Sequence, residues 1–408
     1  MSDKVKKPLD GVRVLDLTWV YAGPFATLLL SDLGAEVIKV EGPPVGDYTR
    51  IFPPMRSGWS GYFYMLNRGK KSIALNLKSE EGRDIFLKLC GKFDVITENF
   101  VAGTMEKLNL GYETIKKANP SIIYAAISGF GSYGPYSNMP CVDPVAQAMG
   151  GLMSMTGYPG MPPLKTGPAV ADSLSGLYLA VGVLAALRTR DATGKGQRIE
   201  VAMMDSVFSV LEESVIRASM TGDSLPARGN TDPLGAPWDA FQTRDGKWVM
   251  ICCVGSDRFD RIYRHIGRED IADKYKGDSE EAVEARSRDL AYLNAAFAEW
   301  VKTQDTRDLM DFLLDMSIPC GVVKDVVELL EDPHLQARKM ILEHDHAMLG
   351  MVKTFNQPIR FLGEGYAEDA VELDDKVLGG DTFEVLSSEL GISGNEVAAL
   401  KERGVIWA

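Results

Sequence analysis

Asp172 stands ahead of an apolar run, in Gly167-Pro-Ala-Val-Ala-Asp172-Ser-Leu-Ser-Gly176, and a carboxylate so placed has two readings. As an N-cap it accepts the first amides of the helix that follows. As a functional group it keeps the same geometry, because a helix N-terminus stabilises its charge and fixes its direction. A fixed carboxylate can attack an acyl carbonyl and form a covalent intermediate. A second chemical feature is Asn67-Arg-Gly-Lys-Lys-Ser-Ile-Ala-Leu-Asn-Leu-Lys78, which holds four bases and no acid. In a chain with 57 acids against 44 bases, net charge −13, this is an island of positive potential. It reads as a solvated loop with a strand behind it or, joined by Lys39, Arg50 and Lys107, as a phosphate site. Asn99-Phe100 follows an expected strand, where open sheets place ligands; helix capping is the other reading of Asn99.

Other chemistries are set aside by what surrounds these residues. The acidic balance argues against bulk nucleic-acid binding. The five cysteines (Cys90, Cys141, Cys252, Cys253, Cys320) are odd in number and lack Cys-x-x-Cys spacing, which fits a reduced, cytoplasmic compartment. No metal is expected. His344-Asp-His346 has ligand types, but reads as a solvated polar turn. The longest apolar stretch, Gly176–Leu187, is too short to span a bilayer, and the first residues lack the apolar core of a secretion signal, so no membrane partner is expected.

The elements that must position Asp172 and Asn99 alternate strand and helix. Val12–Leu17, Glu36–Val40, Asp94–Thr97 and Ile122–Ile127 read as strands, and Pro24–Leu33 as a helix stopped by Gly34. A long apolar helix runs from Asp172 to Leu187, followed by a strand at Ile199–Ala202. This pattern predicts an α/β fold with a doubly wound parallel sheet. A nicotinamide reading fails, because the turn Thr18-Trp19-Val20-Tyr21-Ala22-Gly23-Pro24 has one glycine where a pyrophosphate needs three, and no P-loop lysine motif occurs.

A large domain is therefore expected over 1–220. A Gly/Pro/Asn/Asp-rich linker follows over 221–237, around Arg228-Gly-Asn230 and Gly235-Ala-Pro237. A smaller α+β domain covers 238–327, with a hairpin at Asp245-Gly246, a strand Trp248–Val254 and helices through Phe312. A return segment after Asp332-Pro333 occupies 328–408, with helices at Thr382–Leu390 and Gly394–Arg403. Between them Glu364–Asp375 carries six acids and no base, a solvated loop.

Taken in order, many short segments resemble the class III coenzyme A transferases, the CaiB/BaiF-like family of formyl-CoA:oxalate and carnitine CoA-transferases. The matching segments are Gly11-Val-Arg-Val-Leu-Asp16, Ala22-Gly-Pro24, Leu33-Gly-Ala-Glu-Val-Ile-Lys-Val-Glu41, Gly46-Asp47 and Asn67-Arg-Gly-Lys-Lys-Ser72. They continue in Glu98-Asn-Phe100, Ser128-Gly-Phe-Gly131, Asp143-Pro-Val-Ala-Gln147, the Asp172 segment, Thr193-Gly-Lys-Gly-Gln197, Arg228-Gly-Asn230 and Asp332-Pro333. The resemblance implies that Asp172 is the nucleophile, forming an aspartyl mixed anhydride and then an aspartyl-CoA thioester. It places Tyr21 at the reacting thioester beside Asp172. It implies that coenzyme A, as acyl-CoA co-substrate, is bound by Val20, Ala22, Leu75, Lys78, Asn99, Phe100 and Lys107. Lys78 and Lys107 would meet phosphates as point charges, and Phe100 would give an apolar face. It further implies a ring-shaped subunit in an interlocked dimer, with a second copy or a paralogous subunit.

Departures narrow the substrate. Formyl-CoA transferases carry a glutamine where this chain has Tyr21 and an arginine where it has Gly42, and their glycine-only loop has no counterpart here. These differences point away from oxalate. Trp19, Tyr21 and the loop Arg56-Ser-Gly-Trp-Ser-Gly-Tyr-Phe-Tyr64 point to a bulkier acceptor from a donor such as succinyl-CoA, a substituted succinate such as benzylsuccinate, with Arg56 on its second carboxylate. The same aromatics also read as core or dimer contacts. Two alternatives stand beside the transferase. A 2-methylacyl-CoA racemase would share the fold, but Val142 stands where its proton-moving histidine would be and no histidine precedes His265. A non-catalytic subunit of a hetero-oligomeric transferase would have no need of Asp172.

Overall fold

Val14 and Leu15 are both wholly buried although they point to opposite faces of one strand, which requires a sheet covered on both sides. The computed structural model describes residues 7–362, 373 and 377–407. The chain forms two units, Met1–Ser154 with Lys165–Ser224 and His334–Ala408, and Met155–Leu164 with Leu225–Pro333.

The larger unit is built on β1 (Arg13–Asp16), β2 (Glu36–Glu41), β3 (Lys71–Leu75), β4 (Val95–Glu98), β5 (Ile123–Ser128), β6 (Arg198–Ala202) and β7 (Ile406–Trp407). Their order across the sheet is β7-β3-β2-β1-β4-β5-β6. The first six are parallel, and β7 closes one edge antiparallel to β3. Strand order therefore reverses between β1 and β4, and a doubly wound sheet opens its ligand crevice at that point. The helices of this unit include α1 (Ala22–Asp32), α2 (Gly61–Asn67), α3 (Glu80–Cys90), α4 (Tyr112–Ala118), α5 (Asp143–Met149), α6 (Val170–Thr193) and α7 (Met203–Phe208).

Alternation along the strands divides the core in two. Leu15, Ile38, Ile73 and Ile96 pack with Ile85, Phe86 and Leu89 of α3. Val14, Val37, Val95 and Ile123 pack with Leu29 and Leu30 of α1 and with Leu179 and Val183 of α6. Helix α6 ends on Gly194 in the left-handed conformation, φ 70°. It begins at Val170 after the cap position Ala169, so Asp172 lies inside its first turn and is not the N-cap expected from the sequence. At 24 residues, α6 is long and apolar enough to cross a membrane by length and composition, although the uninterrupted apolar run within it is shorter. In this fold its buried face is core. Gly176 permits the approach to α1, because a Cβ there would come within 2.7 Å of the Ala22 carbonyl oxygen.

The smaller unit holds an antiparallel sheet in the order Cys320–Val322, Trp248–Cys252, Trp238–Gln242. The last two strands meet at the expected Asp245-Gly246 turn, with Gly246 at φ 84°. Helices between Ser256 and Asp315 cover it, around Phe241, Val249, Ile251, Phe259, Ile262 and Phe297.

The return segment departs from expectation. Ile341–His346 and Gly350–Phe355 pair as an antiparallel hairpin, so His344-Asp345-His346 is strand and not a solvated turn. His346 is buried and its Nδ1 accepts the amides of Met348 and Leu349, while His344 Nδ1 lies 2.6 Å from the Tyr64 hydroxyl. The imidazoles are engaged by packing and hydrogen bonds. Helices Thr382–Leu390 and Gly394–Glu402 lead to β7. The acidic stretch expected at 364–375 lies outside the described residues, Leu373 excepted.

Candidate active site

The turn from β1 to α1, residues 18–21, is held by four side chains from other parts of the large unit. Asp16, at the end of β1, accepts the Thr18 amide at 2.9 Å and the Thr18 hydroxyl. Lys39 Nζ donates to the Thr18 carbonyl oxygen at 2.6 Å. Asp47 Oδ1 accepts the Val20 amide at 3.1 Å. Asn99 grips Trp19 from both sides, accepting its amide at 2.9 Å and donating to its carbonyl oxygen at 2.8 Å. So clamped, Val20 sits at φ 64°, a conformation costly for a β-branched residue. Gly23 is required because a Cβ there would overlap Thr18, 2.3 Å from its Cβ.

Beyond the turn lies a cleft of about 1020 Å³, counted out to its open mouth. Trp19, Val20, Tyr21 and Ala22 form one wall; Asn99 and Phe100, after β4, form another. Cys141, Val142, Asp143 and Asp172 complete it. Of the residues expected to act together, Tyr21, Asp172, Val20, Ala22, Asn99 and Phe100 meet in this cleft. Phe100 packs on Trp19 with ring centres 5.8 Å apart, and Trp19 on Tyr48 at 5.0 Å. Tyr21 stacks on Phe25 at 5.7 Å and faces Tyr62 at 6.4 Å.

Leu75, Lys78 and Lys107 do not line the cleft. Leu75 is core as a whole residue, 1% exposed, and pairs with Ile406 of β7, so it presents no surface to a ligand. Lys78 and Lys107 are exposed and form no ion pair among the described residues. The other bases of the expected positive island are consumed within the protein. Arg68 binds Asp32 with contacts of 2.5 and 2.8 Å, Lys70 pairs with Asp16 at 3.1 Å, Lys39 with Asp47 at 3.0 Å and Arg50 with Glu41 at 2.6 Å. The island is thus a buried ion-pair network around the β1 turn, and its free charge is confined to fewer residues than the sequence suggests.

Electrostatics single out two acids. Burial, with the charge of Asp143 added, pushes the Asp172 carboxyl up to about 7. The expected helix-terminal stabilisation of Asp172 does not materialise, because Asp143 has taken the amides: it accepts those of Ala171 at 2.8 Å and Asp172 at 3.3 Å. Burial also pushes Glu98 up to about 7, where it accepts the Phe100 amide and the Tyr124 hydroxyl. Around Asp172 the Cys141 thiol is pushed up to about 11 and the Tyr62 phenol to about 12, each mainly by burial. Asp172 is half-buried and open to the cleft, so it can reach an electrophile.

Sequence reading did not assign Asp47, Asp143 or Tyr62. For Asp143 a signal exists, since Asp-Pro opens a helix and marks a carboxylate held at a helix start. The segment Arg56–Tyr64, expected as a loop, is instead a short hairpin (Met55–Arg56 with Trp59–Ser60) leading into α2, and Tyr62 on α2 is its residue that packs on Tyr21. The rest of that segment turns elsewhere: Arg56 donates to the Leu349 carbonyl oxygen, Trp59 and Tyr64 pack on His346, and Phe63 lies under Arg50. Among the described residues no group of three or more His, Cys, Asp and Glu could hold a metal ion.

Comparison with known proteins places this geometry in a family. The family model described as CoA-transferase family III matches residues 9–369. The chain is 40% identical over 346 residues to the succinyl-CoA:mesaconate CoA-transferase of Haloarcula marismortui, covering 83% of this chain and 85% of that one. It is 39% identical over 349 residues to the acetyl-CoA:oxalate CoA-transferase of Acetobacter aceti, covering 85% and 88%. A crystal structure of a CAIB/BAIF family protein from Brucella suis superposes with a TM-score of 0.82 at 34% identity, covering 94% of this chain and all of that one.

Proposed function

We propose, given that the chain belongs to CoA-transferase family III, that it carries coenzyme A from succinyl-CoA to a substituted C4 dicarboxylic acid through covalent intermediates on Asp172. That it is a CoA-transferase with acyl-CoA as co-substrate follows from the family itself. The observation that carries the finer reading is Asp172, a half-buried carboxylate in the wall of the cleft that holds Tyr21, Asn99 and Phe100.

In this reading the Asp172 carboxylate attacks the thioester carbonyl of the donor, the C–S bond breaks, and CoA leaves as thiolate. The product is a mixed anhydride. The thiolate then attacks the aspartyl carbonyl and expels the donor acid, leaving an aspartyl-CoA thioester. The acceptor carboxylate attacks that thioester and releases the thiolate, which takes the acceptor acyl group and frees Asp172. Charge balances at each step and no net proton is consumed. Asn99 supports this by fixing the Trp19 peptide, Phe100 and Trp19 by offering apolar faces to CoA, and Lys78 and Lys107 by meeting its phosphates. Val20 and Ala22 border the thioester.

Support for a dicarboxylate acceptor comes from the relative that acts on mesaconate and from the Tyr21–Tyr62 wall. Arg56 is not part of that support, since its guanidinium is turned to Leu349. The same reading includes a dimer, of two copies or with a paralogous chain. The test combines two measurements. Hydroxylamine in the presence of succinyl-CoA should mark a peptide containing Asp172, and Asp172→Ala should lower turnover on the order of 10³-fold or more. Oxalate, succinate, mesaconate and benzylsuccinate compared at equal concentration should rank oxalate last. Near-normal turnover by Asp172→Ala, or use of oxalate alone, would overturn the corresponding half of the proposal.

A further inference from the structure

Asp143 opens α5, yet its carboxylate serves α6. Oδ1 accepts the amides of Ala171 and Asp172, and Oδ2 accepts Gln147 Nε2 at 2.6 Å. Gln147 in turn accepts the amide of Thr166 at 3.0 Å and its hydroxyl at 3.2 Å, tying down the chain that enters α6. Asp143 and Gln147 are both buried. An acid in the first turn of a helix ordinarily gains from the free amides there. In α6 another carboxylate already occupies them.

We propose that Asp143 is a positioning residue for the transfer reaction: it fixes the first turn of α6, takes the amides that would stabilise Asp172 as an anion, and sets a like charge beside it. This rests on the reading of Asp172 as nucleophile. The titratable groups about Asp172 are Asp143 on α5, Cys141 just before that helix, Tyr62 on α2 and Tyr21, whose hydroxyl contacts Ser173. Among these, Asp143 is the carboxylate, and its charge adds to burial in raising Asp172.

The chemistry gives this arrangement a purpose. A more basic carboxylate is the stronger nucleophile towards the thioester. It is also the poorer leaving group, which matters once the mixed anhydride has formed. CoA thiolate can then attack either carbonyl. Attack on the donor carbonyl expels Asp172 and returns the substrates; attack on the aspartyl carbonyl expels the donor acid and carries the reaction forward. Keeping Asp172 basic favours the second path.

Asp143→Asn tests this, because the amide oxygen can still accept from Ala171 and Asp172 while the charge is gone, the bond from Gln147 Nε2 being the one contact given up. The acid limb of kcat/KM against pH should move about one unit lower, as loss of a neighbouring like charge predicts. The KM for acyl-CoA should stay as it is, and residue 172 should still be trapped by hydroxylamine. An unmoved acid limb with trapping intact overturns the role of Asp143 and leaves the nucleophile standing. No trapping at residue 172 in the wild-type enzyme overturns the nucleophile itself. Should the Asn variant fail to fold, Asp143→Ser removes the charge, leaves room for a water at the same amides and is read by the same profile.

Discussion

Lys39 and Asp47, both buried, stand 3.0 Å apart behind the β1 turn, and each holds a different peptide of it. Lys39 takes the Thr18 carbonyl and Asp47 the Val20 amide, so the ion pair acts as a brace across a strained residue. Strain of this kind, on the order of 1–3 kcal/mol, persists only where surrounding contacts over-determine the backbone. The braced residues are the cleft wall that carries Tyr21.

Removing one half of the brace should therefore cost both stability and turnover. Asp47→Ala takes from buried Lys39 its ion-pair partner and leaves it only the charges of Asp16 and Glu41, a loss of up to about 3–5 kcal/mol. The denaturation midpoint should fall, and kcat with it. Val20→Gly in that background should recover part of the stability, because glycine holds φ near 64° without steric cost. If the second change recovers nothing, the loss does not pass through the turn.

Asp16 makes the fold acid-sensitive in a defined window. Burial alone would raise its carboxyl, but the charges of Lys70 and Lys39 and the hydroxyls of Thr18 and Thr27 outweigh burial and hold it at about 2. A folded-state value below the unfolded one means that stability is fully present above about pH 4 and is lost as pH falls through 2. The amount at stake is about 2–3 kcal/mol. Asp16→Asn should be less stable at neutral pH and should flatten the stability curve between those limits, which denaturant titrations at several pH values would read.

How far the sequence could show this follows from how charges find partners. The strands and α1 are legible because apolar runs bounded by glycine have a local cause. The brace is not, since Lys39 reads as exposed until Asp47 is known to reach it across a loop, and Arg68 reads as free until Asp32, 36 positions away, is seen beside it. The misplacement of Asp172 as an N-cap has the same origin. Helix α6 starts two residues earlier because Asp143, from another helix, supplies the cap that the local sequence lacks. His344 and His346 read as a polar turn because their hairpin partners lie ahead in the chain and their contacts on α2 far behind.

Lys78 and Lys107 are among the exposed cations of the first half that form no ion pair among the described residues. Replacing either with Glu should raise the KM for acyl-CoA several-fold while leaving kcat nearly unchanged, since one exposed phosphate contact contributes on the order of 1 kcal/mol. Lys70→Met should do the opposite, lowering stability through Asp16 with little change in KM. An unchanged KM in both Glu variants would move the nucleotide end of CoA elsewhere.

Tyr21 should decide which acid is accepted. Its hydroxyl lies 3.2 Å from Ser173 Oγ, and Ser173 Oγ lies 2.9 Å from the Ala169 carbonyl oxygen. Ser173 donates its one hydrogen either to the Tyr21 hydroxyl or to the Ala169 carbonyl oxygen, and the first contact seats the Tyr21 ring. The ring then stands between Phe25 and Tyr62 as an apolar wall next to Asp172. Tyr21→Gln removes that wall and puts amide hydrogen-bonding groups in its place. Losing an apolar surface of this size changes discrimination by about 1–3 kcal/mol, or 10–200-fold. The ratio of kcat/KM for mesaconate over oxalate should drop within that range. Tyr21→Phe, which keeps the wall and frees the ring, should change the ratio far less. A ratio unmoved by Tyr21→Gln would mean that the acceptor binds away from this wall.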